Sequence, residues 1–236
     1  MSHSPLGALR DVGVIIVAGG SGTRIGGEEL KQFRWVAGKP MLLHSVQTFM
    51  DRPDVGMVVC VLPQRYAGDP PPWLFQCDVD RLLVSVGGRT RSESVANGLD
   101  DLPDEADIVL VHDAARPLVD AATIDRVVAG VRGGTSTIAA LPVVDTLKEV
   151  GEDGLIVRTV DRDGLWRAQT PQGLARQLHV DAHRRASVEH ISATDDAALC
   201  ERLGIPVRVV RGSERALKVT EPGDFGRVDA MFGVAE

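Results

Sequence analysis

The chain has 236 residues, enough to bury one large hydrophobic core, and its apolar (44%) and charged (25%) contents are ordinary for a globular protein. The net charge of −7 argues against nucleic acid as a partner, because no broad basic surface is available to neutralise a phosphate backbone. Three distant cysteines (Cys60, Cys77 and Cys200) predict free thiols in a reducing cytoplasm, and without a long apolar run or a signal-peptide pattern we expect no membrane partner.

The first 141 residues alternate between short apolar runs and helical patterns. Predicted strands lie at 12–18, 55–62, 81–86, within 106–117 (where the strand runs into a polar loop) and at 135–141. Predicted helices lie at 39–50, 92–99 and 123–131. Because the strands are continuously apolar, we expect a mostly parallel sheet with helices on both faces, which is a doubly wound α/β fold.

The pattern changes after Pro142. The stretch 142–166 alternates like exposed strands around "GEDG" (151–154), which indicates a protruding β-hairpin arm at about 142–168 within a single domain of 1–236. An exposed strand pair needs cover, so we expect a homodimer that forms through the arm. The remaining predictions are helices near 172–187 and 195–203, strands at 205–212 and 216–220, and a closing helix at 221–232.

A glycine-rich loop, "AGGSGTRIGGEELKQF" (18–33), follows the first predicted strand. It fails the dinucleotide fingerprint because Ile25 replaces the third glycine, and it fails the Walker A pattern because Glu28 replaces the lysine. Its backbone N–H groups can still approach an anion closely. Arg24 and Lys31 add two positive charges, which is more typical of a site that stabilises a reacting phosphoryl group than of a dinucleotide site.

A second candidate element is "VHDAARP" (111–117), at the carboxyl end of a predicted strand, where open α/β sheets bind ligands. Asp113 is placed to hold Mg²⁺, which prefers a carboxylate together with phosphate oxygens. We interpret Arg116 as a structural ion-pair partner. By spacing alone, Arg162 and Lys218 are typical of solvated cations.

Two further patterns are weaker. "GGRTRSES" (87–94) is another strand-to-helix glycine turn, with Arg91 and Ser94 near the helix start. His179 and His183 lie one helical turn apart, but no glutamate lies between them in a zinc-protease pattern and no third ligand is evident. We therefore predict no metal site at the two histidines.

Taken together and in order, the motifs are similar to those of a known enzyme family. "AGGSGTRIG", "LKQF", "GGRTRSESV", "VHDAARP", "PVVDTLK", "TVDRDGLW", "QTPQ", "TDDA" and "LKVT" resemble the 2-C-methyl-D-erythritol 4-phosphate cytidylyltransferases (IspD family) of the non-mevalonate isoprenoid pathway. The resemblance extends from about residue 12 to 232. It implies a Rossmann-like nucleotidyltransferase fold with a hairpin dimerisation arm. It also implies transfer of a cytidylyl group from CTP to methylerythritol phosphate, with release of pyrophosphate and with a divalent metal, usually Mg²⁺.

The resemblance also implies roles for individual residues. Arg24 and Lys31 match residues that stabilise the charge of the pentavalent transition state, and Arg162 and Lys218 match residues that position methylerythritol phosphate. Asp113 matches the metal aspartate. Positions that match the CTP site are Ala18, Gly19, Gly20, Gly87, Gly88, Ser94 and Ala114, and those that match further substrate contacts are Thr146 and Thr170. Because Thr146 lies in the arm, the resemblance implies that the arm helps to complete the partner's site.

Two positions depart from the family pattern, and three alternatives stay open at this point. Leu30 replaces the usual proline before the Lys-Gln pair, and Ala216 replaces an asparagine that is common before "KVT", which leaves a second protein contact near the metal in doubt. A ribitol 5-phosphate cytidylyltransferase would use the same nucleotide loop with a different acceptor pocket. An NAD-binding oxidoreductase is disfavoured by the missing third glycine, and a non-catalytic nucleotide-binding regulator by the retained cations.

Overall fold

A computed structural model describes residues 10–19, 30–191 and 193–233 of the chain. The described strands are β1 (Val12–Val17), β2 (Trp35–Val36), β3 (Lys39–Pro40), β4 (Val55–Leu62), β5 (Leu82–Val86), β6 (Ile108–Asp113), β7 (Ser136–Pro142), β8 (Leu147–Val150), β9 (Ile156–Val160), β10 (Trp166–Ala175) and β11 (Val207–Arg211). The described α-helices are α1 (Met41–Met50), α2 (Gln64–Ala67), α3 (Arg91–Asp101), α4 (Ala121–Arg132), α5 (Arg176–Val188), α6 (Asp196–Arg202) and α7 (Pro222–Phe232). None of these helices combines the length and the apolar character needed to span a membrane.

Seven of the described strands form one sheet in the order β11-β7-β10-β6-β1-β4-β5. Strand β10 is antiparallel to both of its neighbours, and all other neighbouring pairs are parallel. In the centre of the sheet, Ile15 of β1 lies opposite Val59 of β4 and Val111 of β6. The prediction of a mostly parallel sheet is therefore confirmed.

Helices cover both faces of the sheet. Val14 and Ile16 of β1 pack into one buried cluster with residues of α1 and α4. Ile15, between them in sequence, packs into a second cluster with Val95 and Leu99 of α3. Because side chains alternate between the faces and both faces are buried, the strand must be apolar at every position. This arrangement confirms the doubly wound α/β prediction.

Strands β8 and β9 pair antiparallel with each other in a separate two-stranded sheet. Pro142 and Trp166 pair with each other in the main sheet, so the hairpin lies between them, at 143–165. We call these residues the hairpin segment. Its apolar side chains are largely exposed, and Ile156 and Val157 each keep 63% of their surface accessible. Its role as a dimerisation arm stays a prediction.

Two predicted elements are wrong. Residues 172–175, predicted as the start of a helix, belong to strand β10, where Gly173 lies opposite Leu110. A Cβ at Gly173 would lie 2.9 Å from a methyl carbon of Val127, so α4 packs directly on this strand. The stretch 216–220 forms no strand. It lies beside the loop after β6, where the Val219 N–H donates to the Ala115 carbonyl (2.8 Å).

Candidate functional site

A cleft of about 500 Å³ opens at the carboxyl ends of β1, β5 and β6. Parallel strands end at the same edge of the sheet, so the loops that follow them converge there. Among the residues that line the cleft are eight that the sequence predicted for the site: Ala18, Gly19, Lys31, Gly88, Ser94, Asp113, Ala114 and Lys218. The sheet order therefore assembles segments that are up to 200 residues apart in sequence (Ala18 to Lys218).

Glycines allow two of these loops to touch. A Cβ at Gly87 would lie 3.3 Å from the Cα of Gly19 and 3.2 Å from the carbonyl oxygen of Leu62. Both contacts are with backbone, which cannot move aside as a flexible side chain could. The Gly88 N–H donates to Ser94 Oγ (3.0 Å), which in turn donates to the Thr90 carbonyl (2.9 Å). The cleft wall is thus backbone, held against the first turn of α3.

Asp113 is the electrostatic centre of the described cleft. Its Oδ2 lies 2.7 Å from Lys218 Nζ and 3.8 Å from Arg116 Nε, and its Oδ1 lies 3.6 Å from Arg91 Nε. Burial opposes the charged carboxylate, but the positive charges of Lys218, Arg91 and Arg116 outweigh it and lower the pKa of Asp113 to about 2. Asp113 is therefore an anion at neutral pH.

Thr170 contacts the backbone of Asp113. It is buried, and its Oγ1 accepts a hydrogen bond from the Asp113 backbone N–H (3.1 Å). Burial lowers the pKa of His112 to about 4, so its imidazole is neutral. His112 Nε2 then donates to the Arg116 carbonyl (3.1 Å), and Nδ1 accepts from the Thr170 hydroxyl (3.0 Å). This chain of hydrogen bonds fixes the loop that carries Asp113, and no local sequence pattern indicated that His112 would take part.

Two other side chains near Asp113 hold the loops together. Arg116 donates from Nη1 to the carbonyl of Ala216 (2.7 Å) and from Nη2 to that of Ala168 (3.3 Å), in agreement with its structural interpretation. Lys31, in a short 3₁₀ helix, donates from Nζ to the carbonyl of Val219 (2.9 Å). Lys31 therefore reaches the same wall of the cleft as Lys218.

Not all predicted site residues reach this cleft. Gly20 and Arg24 lie outside the described residues. Thr146 and Arg162 are exposed on the hairpin segment and do not line the cleft, and Arg162 Nη1 donates to the Val144 carbonyl. Within the described part of one chain, the structure therefore leaves these two residues away from the other predicted site residues.

The sequence did not predict that Asp196 contacts both histidines and Arg91. Asp196 of α6 lies 2.9 Å from His179 Nε2, 3.3 Å from His183 Nε2 and 2.7 Å from Arg91 Nη1. The expectation that the two histidines have no third potential ligand is therefore wrong. Asp196 follows His183 by 13 residues, so only the packing of α5 against α6 brings them together. Arg91 joins this cluster to Asp113, and its place at a predicted helix start was the available signal.

Nearly the whole chain is similar to known proteins in sequence and in structure. The model of the family described as "IspD: 2-C-methyl-D-erythritol 4-phosphate cytidylyltransferase" matches residues 12–233. The chain is 42% identical over 221 residues to the 2-C-methyl-D-erythritol 4-phosphate cytidylyltransferase of Salinibacter ruber, covering 93% of this chain and 92% of that protein. It is 39% identical to a bifunctional IspD/IspF enzyme of Desulfotalea psychrophila, covering 92% of this chain but spanning only 55% of that longer protein. The crystal structure of the cytidylyltransferase from Thermus thermophilus superposes with a TM-score of 0.81 at 33% identity, covering 95% of this chain and all of that one.

Proposed function

The chain belongs to the IspD family of 2-C-methyl-D-erythritol 4-phosphate cytidylyltransferases, and we propose that its cleft joins CTP to methylerythritol phosphate. The products are 4-diphosphocytidyl-2-C-methyl-D-erythritol and pyrophosphate, so the enzyme is a nucleotidyltransferase of the non-mevalonate isoprenoid pathway. The single observation that carries this function is the glycine-walled cleft in which Lys31, Lys218 and Asp113 converge. Neither the ribitol-phosphate alternative nor the oxidoreductase alternative is favoured by this family membership.

The reaction needs alignment of two anions more than it needs a base. The nucleophile is an oxygen of the methylerythritol phosphate monoester, which is already largely ionised near pH 7. It attacks the α-phosphorus of CTP, and the bond between that phosphorus and the oxygen bridging to the β-phosphorus breaks. Cations placed around the reacting phosphoryl group stabilise the charge that develops there. The lysines of the cleft supply such charge without any proton transfer.

We assign the residue roles on this basis. The backbone at Ala18, Gly19, Gly87, Gly88 and Ala114, together with Ser94 and Gly20, forms the CTP site. Lys31 and Arg24 stabilise the transition state, and Lys218 positions methylerythritol phosphate. Thr170 contributes by fixing the Asp113 loop. The contact of Lys218 with Asp113 supports this assignment, because it holds the ammonium group at the cleft wall.

The donor set fits a magnesium ion. Among the described residues that line the cleft, Asp113 is the one carboxylate, and Mg²⁺ commonly binds one or two carboxylates together with substrate phosphates. Asp113 lines the cleft, and its Oδ1 lies 3.6 Å from Arg91 Nε, beyond hydrogen-bond distance. When bound, the ion would neutralise phosphate charge, and Asp113 is the residue that would hold it.

We further propose that the enzyme is a homodimer of the cytoplasm. Arg162 and Thr146 lie on the exposed hairpin segment, away from the cleft of their own chain. In a dimer formed through this arm, they would contact the substrate in the partner's cleft. The exposed apolar side chains of that segment, such as Val157, are suited to burial between subunits. Free cysteines at 60, 77 and 200 agree with a reducing compartment.

Kinetics of lysine variants test these roles. We expect Lys31→Met to lower kcat by on the order of a hundredfold or more, since it removes a charge that acts in the transition state. Lys218→Met should raise KM for methylerythritol phosphate and leave the dissociation constant of CTP within about twofold. Lys39→Met is the matched control, because Lys39 is exposed and donates to Gln47 (2.8 Å) outside the cleft. Unchanged methylerythritol phosphate kinetics in Lys218→Met would contradict the assignment.

A further inference from the structure

We propose that His179, His183 and Asp196 form a second metal site, which binds a transition metal ion of the zinc class. All three side chains are buried on the inner faces of α5 and α6. The cytidylyl transfer proposed above does not use them. The site stands independently of that reaction, although Arg91 connects it to the nucleotide cleft.

The geometry of the three groups carries the proposal. The potential ligand atoms all lie within 4.8 Å of one another. The Nε2 atoms of His179 and His183 face the same oxygen, Asp196 Oδ1, at 2.9 and 3.3 Å. Ligand atoms about 2.0–2.2 Å from a tetrahedral zinc ion are separated from one another by about 3.3–3.6 Å. Zinc binding therefore needs the His179–Asp196 pair, at 2.9 Å, to open by a few tenths of an ångström, while any wider pair, none beyond 4.8 Å, closes toward the same spacing.

The residues around the cluster do not occupy the atoms that would coordinate the metal, which are Nε2 of the two histidines and Oδ1 of Asp196. Arg91 Nη1 binds the other oxygen of Asp196, Oδ2, at 2.7 Å, so the guanidinium does not occupy the proposed coordination position. The Oε1 atom of Gln172 accepts the backbone N–H of Asp196 at 3.0 Å and so fixes the start of α6. Ser92 Oγ lies 3.4 Å from His183 Nδ1 and can accept a hydrogen bond from Nδ1–H when Nε2 is a ligand, as the outer partners of metal-bound histidines do.

The protonation states also suit a metal. Burial lowers the pKa of His179, although Asp196 partly opposes this, and the neutral imidazole is the form that coordinates. Burial opposes ionisation of Asp196, but Arg91 and the histidines hold its pKa well below the usual range.

The donor types select the class of metal. Two imidazoles and one carboxylate are typical ligands of Zn²⁺, whereas Mg²⁺ and Ca²⁺ prefer oxygen ligands throughout. His183 also lines a separate cleft together with Ser92, Ala186 and Ala193. Because His183 is the member of the cluster that borders this cleft, we propose the cleft as the route by which the ion enters.

Zinc titration of the full-length protein tests the site. The chelator-treated wild type is titrated with Zn²⁺ alone, by calorimetry and by thermal unfolding, and the same titration is made on His179→Leu and His183→Leu. We expect one zinc ion per chain and a raised Tm in the wild type, and loss of both effects in each leucine variant. Excess Mg²⁺ should not displace the zinc. Asp181→Asn is the matched control, because Asp181 lies on α5 between the two histidines but pairs at the surface with Arg184, 3.6 Å away.

The outcomes that overturn the proposal are equally definite. They are the absence of stoichiometric zinc at micromolar concentrations in the wild type, or unchanged zinc binding in both leucine variants. If a leucine variant does not fold, cobalt substitution of the wild type decides the question. A visible spectrum of four-coordinate Co²⁺ with nitrogen and oxygen ligands supports the site, and a weak six-coordinate spectrum overturns it.

Discussion

Replacement of Asp113 by asparagine should cost stability in a way that depends on pH. The carboxylate is buried among Lys218, Arg91 and Arg116, which lower its pKa to about 2 from an ordinary value near 3.9. A difference of nearly two pKa units corresponds to about 2–3 kcal/mol of unfolding free energy at neutral pH. Because the folded pKa is lowered, this contribution is complete above about pH 4 and is lost as the pH falls toward 2.

We therefore expect Asp113→Asn to be less stable than the wild type by about 2–3 kcal/mol at pH 7. The loss of stability would be larger if all three cations were left buried without a negative partner. However, the Lys218 side chain is 44% exposed and can turn to solvent, and Arg91 keeps its ion pair with Asp196. The measurement is urea unfolding followed by circular dichroism at several pH values between 7 and 2. The difference between the two proteins should shrink below about pH 4, as the wild-type carboxylate becomes protonated.

An exposed aspartate provides the control for this experiment. Asp104 pairs with Arg176 at 3.1 Å, but its side chain is 99% exposed, so Asp104→Asn should change stability by less than about 0.5 kcal/mol at every pH. An Asp113→Asn protein that is as stable as the wild type at pH 7 would refute the electrostatic reasoning. So would a deficit that stays the same down to pH 2.

The remaining predictions concern the cleft wall and the hairpin segment. Gly88→Ala should weaken CTP binding and lower stability by about 1–3 kcal/mol. The added Cβ would lie 2.3 Å from the Cβ of Glu93 and 3.0 Å from the carbonyl carbon of the same residue. Equilibrium CTP titration measures the first effect, and urea unfolding measures the second. Gly223→Ala, whose Cβ would meet nothing within 4 Å, should leave CTP binding unchanged and should not lower stability, because Gly223 lies in helix α7. When Arg162→Met and Lys218→Met subunits are mixed, each mixed dimer keeps one intact site if the arm acts across the interface. Activity should then rise to about a quarter to a half of the wild-type value per dimer. Activity that stays at the level of the separate variants would show that Arg162 serves its own chain.

Local sequence patterns predicted the strands whose surroundings are uniform. Strand β4 occupies Val55–Leu62 as predicted, because a strand covered on both faces is apolar throughout and is bounded by turn residues. Strand β10 was missed in part because its place between β6 and β7 depends on long-range pairing. Its sequence, "WRAQTPQGLA", contains a proline and a glycine that usually argue against a central strand.

For the candidate site as well, residues with a local sequence signal were predicted, and contacts that depend on long-range packing were not. Glycines after a strand and an aspartate at a strand end are local signals, and Gly19, Gly88 and Asp113 do meet in the cleft. The roles of Arg162 and Lys218 came from family resemblance, since one cation in an apolar stretch is not distinctive. The contacts among His179, His183 and Asp196 depend on how two helices pack, which no local pattern specifies.

The central claim is that this cleft transfers a cytidylyl group to methylerythritol phosphate. The most direct test is pyrophosphate release by the purified protein with CTP and Mg²⁺, with methylerythritol phosphate and ribitol 5-phosphate as parallel acceptors. We predict release with methylerythritol phosphate, with formation of 4-diphosphocytidyl-2-C-methyl-D-erythritol, and little or none with ribitol 5-phosphate. No release with methylerythritol phosphate, in a protein that still binds CTP, would contradict the account.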